Sequence, residues 1–249
     1  NMVEFLDPGS GAAEGAFAWR IAPFLLFIVA LGWKLYCLRR LLTSPFAPEL
    51  SMDSEIYWAW SREIAEGRWI GKAAFFLGPL YPYGLAVVRF LGGDGIVVPL
   101  ALQCLLGALT VALMFCAARE LAPPKHALVS GILAAGFAMG TFMDLSILSE
   151  SVLACLEVLF LLLQFQIVRT GGGLRRSVIS GALIGLMSLA RPSAWLLLLA
   201  HFVSVRARHG MGAARHACVT GAAVAVLVCL PVLMRHLALG HGPILSTYS

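Results

Sequence analysis

Charge is scarce in this chain. Only 12% of its 249 residues are Asp, Glu, Lys or Arg, and 60% are hydrophobic. Soluble globular domains carry about 25% charged residues, so that class is excluded. Several apolar stretches approach the roughly 20 residues that cross about 30 Å of hydrocarbon. The composition is that of an integral membrane protein. The formal net charge of +5 carries no nucleic-acid signal, because the cations sit in short loops between apolar stretches, where they act on orientation. The expected surroundings are membrane lipid, with no nucleic-acid partner.

Metal and disulfide patterns are missing too. The histidines are scattered, with no H-x-x-H or H-E-x-x-H spacing, so no metal site is expected. The six cysteines (Cys37, Cys104, Cys116, Cys155, Cys218, Cys229) all fall in apolar stretches. They read as small buried hydrophobes rather than ligands or a disulfide framework. The first apolar run lacks a small-residue cleavage site and ends instead at Arg39 and Arg40. It is therefore a span and not a signal peptide. Residues 1–18, rich in Gly and Ala, read as a flexible tail ahead of a membrane domain over 19–249.

The expected fold is an all-α polytopic membrane protein with about seven transmembrane helices and an amphipathic-helical first outer loop. The first span covers 21–38. A polar loop follows, then a short amphipathic piece over 85–91 closed by G92-G-D-G95. Further spans cover 96–118, 127–142, ending at Asp144, and 145–168. Residues 177–205, with Arg191-Pro192 at the middle, are too long for one straight span. The loops 119–125, 169–176 and 206–215 hold eight cations against the single acid Glu120, so all three face the cytoplasm under the positive-inside rule. An even number of crossings must then separate the last two loops. Two short spans of roughly 14 residues, about 21 Å each, meet this with Arg191-Pro192 at the outer turn. A last span covers 218–237.

This topology places most acids outside. Four of the thirteen acids, Asp53, Glu55, Glu63 and Glu66, lie within fourteen residues just after the first span, and a Pro/Tyr-rich loop, G78-P-L-Y-P-Y83, comes next. Asp53 and Tyr57 are four apart and share a helix face. Asp53 reads either as an N-cap or first-turn acid or as a general base that takes a proton from an acceptor hydroxyl or amine. Glu150, at the outer end of the fourth span, is either a functional carboxylate or one that snorkels to the interface. Glu157 shares its face near mid-membrane. Arg191 is either an interfacial anchor or a phosphate ligand, its planar guanidinium suiting paired charge-assisted hydrogen bonds. Lys72 and Arg89 are weaker candidates for the same phosphate.

Taken in order, D53-S-E-I-Y57 with A59-W-S-R-E-I-A-E-G67, then F76-L-G-P-L-Y-P-Y83, M143-D-L-S-I-L-S-E150 and G181-A-L-I-G-L-M-S-L-A-R-P192 form a set. The chain resembles the polyprenyl-phosphate-dependent glycosyltransferases of the C superfamily, the group holding protein O-mannosyltransferases and the lipid A aminoarabinose transferase. The resemblance spans about 20–240. It implies an inverting transfer in which Asp53 activates the acceptor, polyprenyl phosphate leaves, and Arg191 and Lys72 hold the phosphate. Glu55, Tyr57, Asp144 and Glu150 would support the site. No cofactor is implied, because the lipid-linked sugar is a substrate. Many members carry Asp-Glu side by side, whereas Ser54 stands second here and Glu55 third. Members also usually continue with further spans, which implies an incomplete chain or a reduced relative.

Two rival readings remain from sequence. One is a small-molecule or lipid transporter with Glu150 and Glu157 as translocation carboxylates, and the other is a non-catalytic scaffold of the same fold. A transporter has no need of an acid-plus-Tyr helix in the first loop. Arg outnumbers Lys fifteen to three, a usage that suits a GC-rich bacterial genome. The expected location is thus a bacterial inner membrane with the site facing the periplasm.

Overall fold

The structure is a computed structural model describing residues 13–45, 50, 52–71, 74–242 and 244–247. Among these residues the only regular elements are helices. They are α1 (Ala13–Leu42), α2 (Asp53–Ala65), α3 (Leu80–Gly92), α4 (Val97–Arg119), α5 (Pro124–Ala135), α6 (Ala138–Asp144), α7 (Glu150–Thr170), α8 (Leu174–Ala190), a 3₁₀ turn (Pro192–Leu196) and α9 (Leu197–Ala238). The expected tail falls partly on residues 1–12, outside the described residues, and α1 already begins at Ala13.

Four segments are long and apolar enough to cross a membrane: Trp19–Leu42, Val97–Arg119, Glu150–Thr170 and Pro192–Ala238. A fifth is α5 with α6, bent by 53°. The all-α membrane class holds, while length and composition give four or five candidates and not seven. The difference lies in two places. The third expected span is broken where Gly136 closes α5 and Phe137 takes an extended ψ of 98°, and Gly136 and Gly140 both weaken the helix there. The second place is the C-terminal hairpin. Pro192–Ala238 is 47 residues long, about 70 Å if straight. It is not straight: Gly210 leaves helical geometry at φ 79°, ψ −176°, a conformation that glycine adopts without steric cost. A Cβ at Gly221 would lie 3.5 Å from the His201 ring, whereas twenty residues of straight helix span about 30 Å. The segment therefore doubles back on itself, so the expected 206–215 loop is a break within helix.

The chain divides into two compact units. The first comprises residues 1–49, 100–146 and 150–165. Its core is a seam of small and large apolar side chains: Ala22, Leu26 and Ala30 of α1 pack with Ala108, Val111 and Phe115 of α4 and Ala127 of α5. Gly131 of α5 keeps the seam close, since a Cβ there would meet Leu26 Cδ1 at 2.6 Å.

The second unit comprises residues 50–99, 147–149 and 166–249. Here Gly181 and Gly185 of α8 face Gly221 and Ala225 of α9 so closely that a Cβ on Gly181 would collide with the Gly221 backbone and one on Gly185 with Val228 Cβ, beside the Ala225 backbone. Small residues four apart on both helices allow this backbone-to-backbone packing. The G181-x-x-x-G185 motif thus has a packing role. α3 begins earlier than the expected 85–91, because Leu80-Tyr81-Pro82-Tyr83 is its first turn and not a loop. Proline is tolerated there, where its missing N–H has no helical partner to lose.

Candidate active site

Asp53 opens α2, and Met52, at φ 52°, occupies the cap position without a side-chain cap hydrogen bond. Asp53 is therefore a first-turn acid rather than the N-cap. It is exposed, as is Glu55, and both sit where the macrodipole favours negative charge. Tyr57, one turn on, is buried instead: its ring meets Tyr81 edge-on at a centroid distance of 5.0 Å. Tyr57 thus anchors the helix that carries Asp53 onto the first turn of α3.

The start of α3 is fixed in turn. A Cβ at Gly78 would collide with the Ala190 carbonyl, so the G78-P-L-Y-P segment lies directly on the last residue of α8. The next residue is Arg191, exposed, its backbone extended at φ −140°, ψ 112° and its amide donating to the Met187 carbonyl at 2.7 Å. Three motifs far apart in sequence therefore meet in one unit, through Tyr57 on Tyr81 and Gly78 on Ala190. Lys72 lies outside the described residues.

Arg89 is not a loop cation. It is 3% exposed, stacks 3.9 Å over the Trp58 ring and pairs with Asp94, so it ties α3 to α2. Between these helices Phe75 packs on Trp60 at 4.8 Å and carries the Arg235 guanidinium 3.8 Å above its ring. The Tyr83 hydroxyl donates to the Trp69 carbonyl. Burial pushes that phenol up from its usual range, with Arg235 pulling the other way, so the hydroxyl keeps the proton it donates.

Of the remaining motif, residues 143–146 and Glu150 belong to the other unit. Asp144 is 4% exposed; Lys34 Nζ lies 2.5 Å from its Oδ2, and Ser151 Oγ donates to Oδ1 at 2.6 Å. Gln103 Nε2 donates to the Ser146 carbonyl at 2.7 Å and reaches Ser151 Oγ at 3.4 Å. Gly107 makes the room, for a Cβ there would collide with the Asp144 carboxylate. Glu150 is half-buried in the first turn of α7, since the expected 145–168 span starts only at Glu150, and Glu157 is exposed on that helix.

Lys34, Gln103, Ser151, Arg235 and His236 are site or brace residues that the sequence motifs do not contain. Lys34 had a signal of its own, as a lone cation inside an apolar run. His236 had none, because its partner Phe75 is 161 residues away. Among the described residues there is no group of three or more His, Cys, Asp or Glu placed to hold a metal ion.

The model of the dolichyl-phosphate-mannose-protein mannosyltransferase family matches residues 77–234. No curated protein and no solved structure matches the chain. The matched region holds G78-P-L-Y-P, Asp144, Glu150 and Arg191, while Asp53, Glu55 and Tyr57 lie before it. With more than half of its length matched, the chain belongs to the dolichyl-phosphate-mannose-protein mannosyltransferase family, a family of membrane glycosyltransferases.

Proposed function

We propose that this chain transfers a sugar from a polyprenyl-phosphate donor to an acceptor at the outer membrane face, with inversion at the anomeric carbon. Asp53 is the general base. It takes the proton of the acceptor hydroxyl or amine as that atom bonds to the anomeric carbon. The bond from that carbon to the phosphate oxygen breaks on the opposite side, and the electron pair leaves with polyprenyl phosphate. Arg191 holds the leaving phosphate by charge-assisted hydrogen bonds, with Lys72 as a second cation. Glu55 and Tyr57 support Asp53, Tyr57 by anchoring α2. No cofactor enters.

The observation that carries this reading is that exposed Asp53 and exposed Arg191 belong to one unit, joined by the Tyr57–Tyr81 and Gly78–Ala190 contacts. Asp144 has a different part, as a buried ion-pair partner. The family name makes polyprenyl-phosphate mannose the first donor to test.

Asp53→Asn keeps size and first-turn geometry but removes basicity. Transfer of labelled mannose from polyprenyl-phosphate mannose into membrane acceptors is expected to fall by about 10²-fold or more. Near-normal transfer in this variant sinks the assignment of the base.

The topology that goes with this function has seven crossings, with α8 and the two halves of α9 as the last three, in a bacterial inner membrane with the site toward the periplasm. In a background without native cysteines, Ser54→Cys should label with an impermeant thiol reagent from outside and Gly172→Cys should not. The reverse pattern overturns the outer-face placement.

A further inference from the structure

His236 sits in the last turn of α9, with no exposed surface. The Phe75 amide donates to its Nε2 at 3.2 Å, and the Ile244 carbonyl lies 2.6 Å from Nδ1. An amide can only donate and a carbonyl can only accept. Nε2 must therefore be bare and Nδ1 must carry the proton, which fixes a neutral ring in one tautomer. The Thr247 amide donates to the Phe75 carbonyl at 2.8 Å. Both backbone groups of Phe75 are thus committed to the C-terminal part of the unit. Arg235 adds a hold on the same loop, its Nε donating to the Ile70 carbonyl at 2.5 Å. Three residues after Phe75 comes Gly78, seated on Ala190.

We propose that His236 is a positioning residue for the transfer: as a donor–acceptor bridge between Phe75 and Ile244 it latches the α2–α3 loop and so fixes the start of α3 on which Asp53's helix rests. The proposal rests on the transferase reading for its functional part and on the hydrogen bonds alone for the latch. A residue acting this way affects how reacting groups are aligned, and a misplacement of about 1 Å can cost about 10²-fold in rate.

The test uses the full chain in membranes, with two readouts. One is mannose transfer from labelled polyprenyl-phosphate mannose, resolved into kcat and donor KM. The other is the rate at which a buried Leu77→Cys, in a background without native cysteines, reacts with a thiol reagent. His236→Phe keeps ring bulk but loses both hydrogen bonds. It is expected to speed labelling and to lower kcat by about 10²-fold, with donor KM changing far less. His236→Gln retains one acceptor and one donor and should restore both readouts toward wild type. Thr247→Pro removes the amide and hydroxyl hydrogen bonds of Thr247 to the Phe75 carbonyl without touching α9, and should loosen the loop in the same direction if His236→Phe does not fold.

A loosened loop with unchanged kcat overturns the positioning role, as does a folded His236→Gln protein that behaves like His236→Phe. Unchanged labelling in both His236→Phe and Thr247→Pro overturns the latch itself. If Asp53→Asn stays fully active while His236→Phe loosens the loop and loses turnover, the base assignment falls and the positioning role stands.

Discussion

In one unit the Asp144 carboxylate is enclosed, 2.5 Å from Lys34 Nζ and 2.6 Å from Ser151 Oγ. In the other, Asp53 and Glu55 stand exposed in the first turn of α2. All three acids belong to motifs that resemble the same superfamily, yet the physical situation of Asp144 is opposite to that of Asp53 and Glu55. A carboxylate inside an apolar bundle persists only if it is paired, because desolvation of an isolated charge is costly. Pairing engages both of its oxygens. An exposed carboxylate at a helix N-terminus carries no such desolvation cost and stays accessible to a proton donor. On the proposed mechanism Asp144 braces and Asp53 carries the chemistry, and the contrast can be broken by experiments on either side.

The largest effect is expected at the brace. Lys34→Met leaves Asp144 buried without its cation, and breaking a buried pair by removing one partner costs about 3–5 kcal/mol. Thermal unfolding of the purified protein in detergent should show a large loss of stability. The double variant Lys34→Met/Asp144→Leu removes both charges and should recover most of it, because apolar replacement of a whole buried pair is often neutral or better. A Lys34→Met protein as stable as wild type would mean that Asp144 does not need its partner, and the contrast with Asp53 would collapse.

How much of this was legible beforehand depends on how far apart the cooperating residues lie. Asp53 with Tyr57, the Pro-Leu-Tyr-Pro segment and Arg191-Pro192 are local patterns, and each falls within a few residues of sequence. Their convergence was implied only by resemblance; the contacts that produce it, Tyr57 on Tyr81 and Gly78 on Ala190, join residues 24 and 112 positions apart. The apolar runs marked α1, α4 and α7 because their lengths match a membrane. The break at Gly136-Phe137 was hidden because the flanking run stays apolar through it. Pro79 and Pro82 suggested a loop, whereas prolines also fit a first helical turn. Lys34 and Asp144 are 110 positions apart, and nothing local in either segment names the other.

On the exposed side, Arg191→Lys is expected to have a smaller effect than loss of the brace. It keeps the charge but gives up the planar fork that grips a phosphate by two bonds. If Arg191 binds the donor phosphate equally in ground and transition states, donor KM should rise about tenfold, some 1.4 kcal/mol, with kcat nearly unchanged. Steady-state kinetics over a range of donor concentrations separates the two constants. Unchanged KM and kcat would return Arg191 to the role of an interfacial anchor.

The smallest effect is expected at Glu157, and its smallness is informative. This residue lies seven positions after Glu150 on α7, about 10 Å along the axis at 1.5 Å per residue, and its side chain is exposed. An ionisable group within a span calls for an explanation, and a proton-coupled transporter would supply one by titrating it during each cycle. Glu157→Gln is nearly isosteric and keeps hydrogen-bonding capacity while removing the titrating proton. In a transferase whose base is Asp53, mannose transfer should therefore stay within about twofold of wild type, the range of surface substitutions near 0.5 kcal/mol. In a transporter the same change should abolish coupled uptake. A folded Glu157→Gln protein that is inactive beside a fully active Asp53→Asn protein would move the function from the first loop to α7. Tolerance at Glu157 together with loss at Asp53 leaves the exposed acid of α2 as the site of chemistry, with its buried counterpart Asp144 as a brace.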